Sequence, residues 1–184
     1  MTCIVAKIHE GKVHMIGDCM GSDGFQKHIF SKTPKVFGVG DFIIGYTTSF
    51  RMGQILQYSW EPPQRLQSDD NDDLYIYKHV VNSIKKCFED NAYGFKDKSE
   101  FEAGNFLIGW HGRLFEMQNN MSLMEIDKFA SVGCGCYHAL AAMKTLDWTE
   151  QFTDNPEEFL RVALLVASDS VTGVSEEYNY VYEE

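Results

Sequence analysis

Apolar positions along the chain fall into blocks whose spacing shifts from strand-like to helical and back, twice over. Ile4 to Ile8 and Val13 to Ile16 flank His9-Glu10-Gly11-Lys12, the pattern of two strands joined by a short glycine-containing turn. Val36 to Val39 and Phe42 to Tyr46 repeat it around Gly40-Asp41. Between these hairpins, residues 19 to 34 are polar and contain glycine, which predicts a surface loop. From Ser49 to Ser59 the spacing turns helical, with Met52, Ile55 and Leu56 on one side and Pro62-Pro63 as the stop. Asp72 or Asp73 can cap a second helix whose apolar stripe is Leu74, Tyr77, Val80, Val81, Ile84 and Phe88. Residues 103 to 132 return to short strands, with Trp110-His111-Gly112-Arg113 as a hairpin turn. Cys136 to Leu146 predicts a third helix carrying Leu140, Met143 and Leu146. Asn155-Pro156-Glu157-Glu158 resembles a capping box with proline at the first helical position, opening a fourth helix through Ala167. Tyr178 to Tyr182 alternates as a terminal strand.

Strands grouped in blocks, rather than alternating singly with helices, argue against a doubly wound parallel sheet. Two antiparallel sheets face to face, with helix pairs outside, satisfy the pattern. With no linker and no internal repeat, residues 1–184 read as a single α+β domain, a length that supports one sizeable core. Composition agrees: 44% hydrophobic and 14% aromatic residues fit a packed domain rather than disorder. A net charge of -11 argues against nucleic acid as a partner and for a soluble, acidic surface. The five cysteines (Cys3, Cys19, Cys87, Cys134, Cys136) include no CxxC and no zinc-type spacing. No signal-like N-terminus or bilayer-length apolar run is present, so the expectation is a reduced, cytoplasmic protein without a membrane partner.

Short motifs that invite a cofactor dissolve on counting. Gly38-Val39-Gly40 lies between two strands rather than before a helix, so it is no phosphate cradle. The run Ser68-Asp69-Asp70-Asn71-Asp72-Asp73 lacks the glycine and glutamate that a calcium loop needs, Leu74 and Val80 standing in those places. The six histidines show no metal-ligand spacing. No metal or organic cofactor is expected. Thr2 is different: were Met1 removed, one residue would carry both a hydroxyl and a free α-amine, and the amine titrates near neutrality, at roughly 8. Alone, a threonine behind the initiator methionine means little.

Its weight depends on five short motifs spread along the chain. Thr2-Cys3-Ile4-Val5-Ala6, Gly17-Asp18, Pro34-Lys35-Val36, Val132-Gly133-Cys134-Gly135 before a helix, and Asp169-Ser170-Val171-Thr172-Gly173 after one occur in that order. Over nearly the whole chain this series resembles the proteasome β-subunit family of N-terminal nucleophile (Ntn) hydrolases, which includes the bacterial proteasome-like peptidase. The resemblance implies a four-layer αββα sandwich and a threonine-type amide hydrolase, a self-compartmentalising peptidase that assembles as a homo-oligomeric ring. Its substrate would be a peptide or unfolded protein, and a regulatory or unfoldase partner fits the same scheme.

The resemblance also assigns roles. Thr2 Oγ1 would attack the scissile carbonyl while its own amine accepts the proton. Lys35 would keep that amine deprotonated and stabilise the developing anion, with Asp18 orienting Lys35. Asp169 and Thr172 would complete a hydrogen-bonded shell around the amine, and backbone N–H groups near Thr47-Thr48 would face the oxyanion. The chain departs from the family pattern at three places: Cys134 and Thr172 stand where the family has serine, and Thr47-Thr48 where it has glycine at the oxyanion turn. Read without the family, Asp169 and Thr172 are ordinary helix-end and turn residues, and Cys134 and Cys136 small packing residues. Two further readings stand beside the peptidase: a non-catalytic proteasome-like shell or scaffold with Met1 retained, and an Ntn acylase acting on small amides.

Overall fold

Cys3-Ile4-Val5-Ala6 is apolar at every position because its strand is buried on both faces. The computed structural model describes residues 2–22, 25–65, 71–97 and 100–184, with the backbone alone for 95–97 and 100. Within it β1 (Cys3–His9) forms a hairpin with β2 (Lys12–Asp18) through Glu10 and Gly11, at φ 49° and 72°. That left-handed pair matches the twist of the flanking strands. A short hairpin follows, β3 (Met20–Ser22) with β4 (Lys27–Ile29), then a third, β5 (Val36–Val39) with β6 (Phe42–Tyr46). Helix α1 (Phe50–Tyr58) is capped by the Ser49 side chain. Next come α2 (Asp72–Leu74), a π-helical segment (Tyr75–Val80) and α3 (Val81–Asp90). Strands β7 (Phe95–Asp97), β8 (Glu100–Glu102), β9 (Phe106–Trp110), β10 (Arg113–Met117), β11 (Leu123–Ile126) and β12 (Phe129–Gly133) follow. Helices α4 (Cys136–Trp148) and α5 (Pro156–Ser170) and strand β13 (Tyr178–Tyr182) complete the chain.

The two larger sheets are antiparallel throughout, in the orders β12-β1-β2-β13 and β11-β10-β9-β6-β5. Alternate residues of each strand enter different apolar clusters. Ile4, Ala6 and Met15 of the first sheet meet Val36, Ile43, Leu107 and Leu114 of the second. Ile44, Phe106, Ile108 and Phe115, on the second sheet's other face, pack with Met52 and Ile55 of α1 and Ile84 and Phe88 of α3. Cys3, Val5 and Ile16, on the first sheet's other face, pack with Met143 of α4 and Phe159 and Leu164 of α5. This double burial is why the strands read as near-continuous apolar runs. Among the described residues no helix is long and apolar enough to cross a membrane.

Three local expectations are corrected. The stretch from 19 to 34 is not all surface loop, because β3 pairs with β4 and both Cys19 and Met20 are buried; the exposed residues of β4 hide this from composition. The second helix is capped by Asn71, not Asp72 or Asp73, its side chain accepting from the Asp73 and Leu74 N–H groups. Its stripe also shifts. A π turn fits more residues than an α turn, so counting by 3.6 from Leu74 goes out of phase. Tyr75 and Ile76 are therefore buried while Leu74 and Tyr77 are 44% and 41% exposed, and the expected stripe holds only from Val80 onward.

At the β2–β13 pair, buried His14 shares a 2.6 Å hydrogen bond with the Tyr180 hydroxyl and stacks on Tyr180 and Tyr182. Burial, helped by His9 and the charges of Lys12 and Lys7, lowers its pKa to about 4 from an ordinary 6.5. Because the folded value is the lower one, the neutral ring's contribution is complete above pH 6.5 and is lost as pH falls from 6.5 towards 4. After allowance for solvent screening the loss is about 1–2 kcal/mol. Urea unfolding at pH 7 and pH 4.5 checks this: His14→Phe is expected to lose less stability across that interval than the wild type.

Candidate active site

Antiparallel pairing gathers the sequence-predicted residues at one end of the sheets. Cys3 opposes Gly133, Ile4 opposes Gly17 and Val36 opposes Gly45, so the start of β1 and the ends of β2 and β12 lie together, as do the start of β5 and the end of β6. Thr2, Asp18, Lys35, Thr47 and Cys134 flank these ends.

At the centre is a buried ion pair. Lys35 Nζ donates to Asp18 Oδ1 at 2.9 Å, with Lys35 2% and Asp18 0% exposed. The carboxylate also accepts from the Cys3 N–H at 2.8 Å and the Met20 N–H at 3.1 Å, and Lys35 donates to the Met20 carbonyl at 2.5 Å. Burial pushes the Asp18 carboxyl up, against the Lys35 charge and the two backbone N–H groups, which hold it down. Such a pair adds little to stability over apolar packing, so its burial calls for another reason.

Thr2, 7% exposed, sits one residue from the Cys3 N–H that Asp18 holds. Its backbone N–H donates to Cys134 Sγ at 3.3 Å, and its carbonyl accepts from the Cys134 thiol and the Gly135 N–H, each at 3.4 Å. Cys134 therefore grips the backbone of Thr2 from an exposed turn. The turn depends on Gly133, whose φ of 101° suits glycine and where an added Cβ would overlap the Thr2 carbonyl oxygen. Gly133→Ala is expected to destabilise the protein by about 2 kcal/mol. Urea unfolding of Gly133→Ala and the wild type, followed by circular dichroism, measures this loss.

The oxyanion expectation narrows to one group. The Thr47 N–H donates to the Asn105 carbonyl at 3.2 Å and the Thr47 hydroxyl to the same oxygen at 2.8 Å, so Thr47 has no N–H to offer an oxyanion. Among the described residues the Thr48 N–H makes no hydrogen bond. Thr48 has a φ of 65°, a conformation that costs a β-branched residue on the order of 1 kcal/mol and that glycine would hold without it.

Asp169 and Thr172 do not join this group. Both are exposed, and neither side chain makes a hydrogen bond among the described residues. The inward stripe of α5 is Phe159, Leu160, Ala163, Leu164 and Ala167, and two residues beyond Ala167 the helix has turned roughly 200°. Asp169 thus lies off the buried face, and Thr172 sits in the turn beyond it. Conversely, the motifs do not flag Ser131. Its hydroxyl donates to the Ile4 carbonyl at 2.8 Å and lies 3.8 Å from the Cys3 sulfur. The only sequence signal is a polar residue inside an apolar strand. Cys3 is a core thiol, pushed up to about 12 by burial.

A cleft of about 460 Å³ opens beside this group, bounded by Thr47, Thr48, Asn105, Gly133, Cys136 and Tyr137. A larger one, about 670 Å³, lies among the hairpin turns Gly11-Lys12, Gly40-Asp41 and His111-Gly112, with none of the predicted site residues in its walls.

No protein-family model matches the chain, and no curated protein matches it by sequence. Its likeness is to solved structures. It superposes on BPH from Thiobacillus denitrificans with a TM-score of 0.82 at 20% identity, covering 99% of this chain and 97% of that one. BPH has also been solved in complex with epoxomicin. HslV from Trypanosoma brucei matches with a TM-score of 0.65 at 15% identity over 98% of both chains. Anbu, an ancestral beta-subunit, from Yersinia bercovieri matches with 0.66 at 11% over 98% of this chain and 81% of that one. At these identities the likeness speaks for the fold: the chain has the mixed α/β fold of the proteasome-like Ntn proteins BPH, HslV and Anbu.

Proposed function

We propose that the chain is a threonine-type Ntn amide hydrolase, a peptidase whose nucleophile is Thr2 once Met1 has been removed. The observation that carries this reading is the buried Lys35–Asp18 pair, one hydrogen bond and one residue from Thr2. Thr2 Oγ1 attacks the scissile carbonyl and its α-amine takes the proton, which passes to the departing amine as the C–N bond breaks. Water then hydrolyses the Thr2 ester and restores the free hydroxyl. Lys35 favours the neutral amine and the developing negative charge, Asp18 holds Lys35 in place, and the Thr48 N–H serves the oxyanion. Cys134 positions the backbone of Thr2. Residues 1–184 form one domain in a four-layer αββα sandwich, and a homo-oligomeric ring would enclose the sites, open to peptide or unfolded chains and to an unfoldase or regulator.

A shell or scaffold role is the second reading, favoured by the exposed Asp169 and Thr172, which leave the amine without the expected shell. Intact mass of the purified protein separates the two. Loss of one methionine together with turnover of short fluorogenic peptides supports the hydrolase. A retained Met1 with no turnover supports the scaffold. Because BPH binds epoxomicin, that compound is a suitable probe, expected to raise the melting temperature of this protein.

A further inference from the structure

The cleft beside Thr48 has one carboxylate among the described residues of its walls. That carboxylate belongs to Glu116. Glu116 lies on β10 two residues from Leu114, so it shares the face that Leu114 turns towards the first sheet. Its Oε1 accepts from Gln118 Nε2 at 2.7 Å, while Oε2 makes no hydrogen bond among the described residues. Burial, with a smaller contribution from the Glu116 charge, pushes the Cys136 thiol up, so no second anion competes. Val132, Tyr137 and Leu140 give the cleft apolar walls.

An aliphatic stem that ends in a cation fits this combination: methylenes along Leu140 and Tyr137, the charged head at the free carboxylate oxygen. Because Thr48 and Gly133 form part of the same walls, the side chain that enters belongs next to the bond being cut. We propose that this cleft binds a lysine or arginine side chain of the substrate beside the scissile bond, and that Glu116 is the residue that selects it. The proposal rests on the hydrolase reading and adds its substrate class.

The test uses matched fluorogenic peptides with Arg, Gln or Glu beside the cleaved bond. The wild type is expected to favour Arg over Gln by about tenfold in kcat/KM, with Glu poorest. Glu116→Gln should bring Arg and Gln together by lowering kcat/KM on Arg, and Glu116→Lys should invert the order towards Glu. Binding of the same peptides to the Thr2→Ala protein, read by fluorescence anisotropy, should rank them alike without turnover. A wild type that cleaves in a Thr2-dependent way with no basic preference, or a Glu116→Gln protein that keeps the preference, overturns the proposal and leaves the hydrolase reading intact. Absence of turnover, or turnover that survives Thr2→Ala, overturns the hydrolase reading. In that case equal binding of the three peptides overturns the Glu116 assignment as well.

Discussion

Thr2→Ala is expected to lower peptide turnover at least about a thousandfold while moving the melting temperature by no more than about 3 °C. The asymmetry follows from which atoms are held. Cys134 and Gly135 bond the backbone N–H and carbonyl of Thr2, and alanine keeps both groups. The atoms lost are the side-chain methyl and the hydroxyl oxygen, the latter being the proposed nucleophile. Thr2→Ser restores it without the methyl group and should remain within about tenfold of the wild type. The pH profile supplies a readout that a structural role would not move. A model α-amine titrates at roughly 8, and the Lys35 charge favours its neutral form, so kcat/KM should climb with pH to a midpoint at or below about 8. Thr2→Ser should follow the same curve. Retained activity in Thr2→Ala, or full activity from protein whose mass still includes Met1, would rule the mechanism out.

Much of the fold was legible because the strands are buried on two faces. The run from Cys3 to Ala6 and the strand from Phe42 to Tyr46 stand out by apolarity alone, and Glu10-Gly11 and His111-Gly112 mark hairpin turns with residues at positive φ. Three features leave weaker marks. The π segment changes only which carbonyl each N–H reaches, and no residue type announces that. Asn71, Asp72 and Asp73 are all competent caps, and spacing alone does not rank them. Thr47 and Thr48 look alike in sequence. What separates their N–H groups is the Asn105 carbonyl, 58 residues from Thr47, which engages one and leaves the other. At Asp169 and Thr172 the motif letters fit while the phase of α5 turns Asp169 outward, because a short match fixes residue type and not direction. Asp18 and Lys35 are the opposite case. They are 17 residues apart in sequence with a short hairpin between them, yet β2 ends where β5 begins, and the two side chains meet in a fully buried pair.

That buried pair should carry a large stability effect. Lys35→Met is expected to destabilise the protein by about 3–5 kcal/mol, because it leaves Asp18 buried with only the Cys3 and Met20 N–H groups for partners. The deficit has a pH signature. Burial already raises the Asp18 carboxyl above its ordinary 3.8, and loss of the Lys35 charge raises it further. A carboxyl whose folded value is the higher one is penalised above that value, and the penalty shrinks as pH falls through it towards 3.8. Urea unfolding should therefore show the gap between Lys35→Met and wild type closing in mild acid. Asp18→Asn takes the carboxylate's charge from beside the buried Lys35 ammonium and should cost a similar amount near neutrality, where the double variant Asp18→Asn/Lys35→Met buries neither charge and should recover most of the loss. Turnover should not recover with it, since the double variant lacks the cation that keeps the Thr2 amine neutral. A stable but inactive double variant marks the pair as chemical machinery kept at some expense in stability. Recovery of turnover together with stability would mean that Lys35 and Asp18 only hold the strand ends together, and the proton acceptor at Thr2 would then need no help from either.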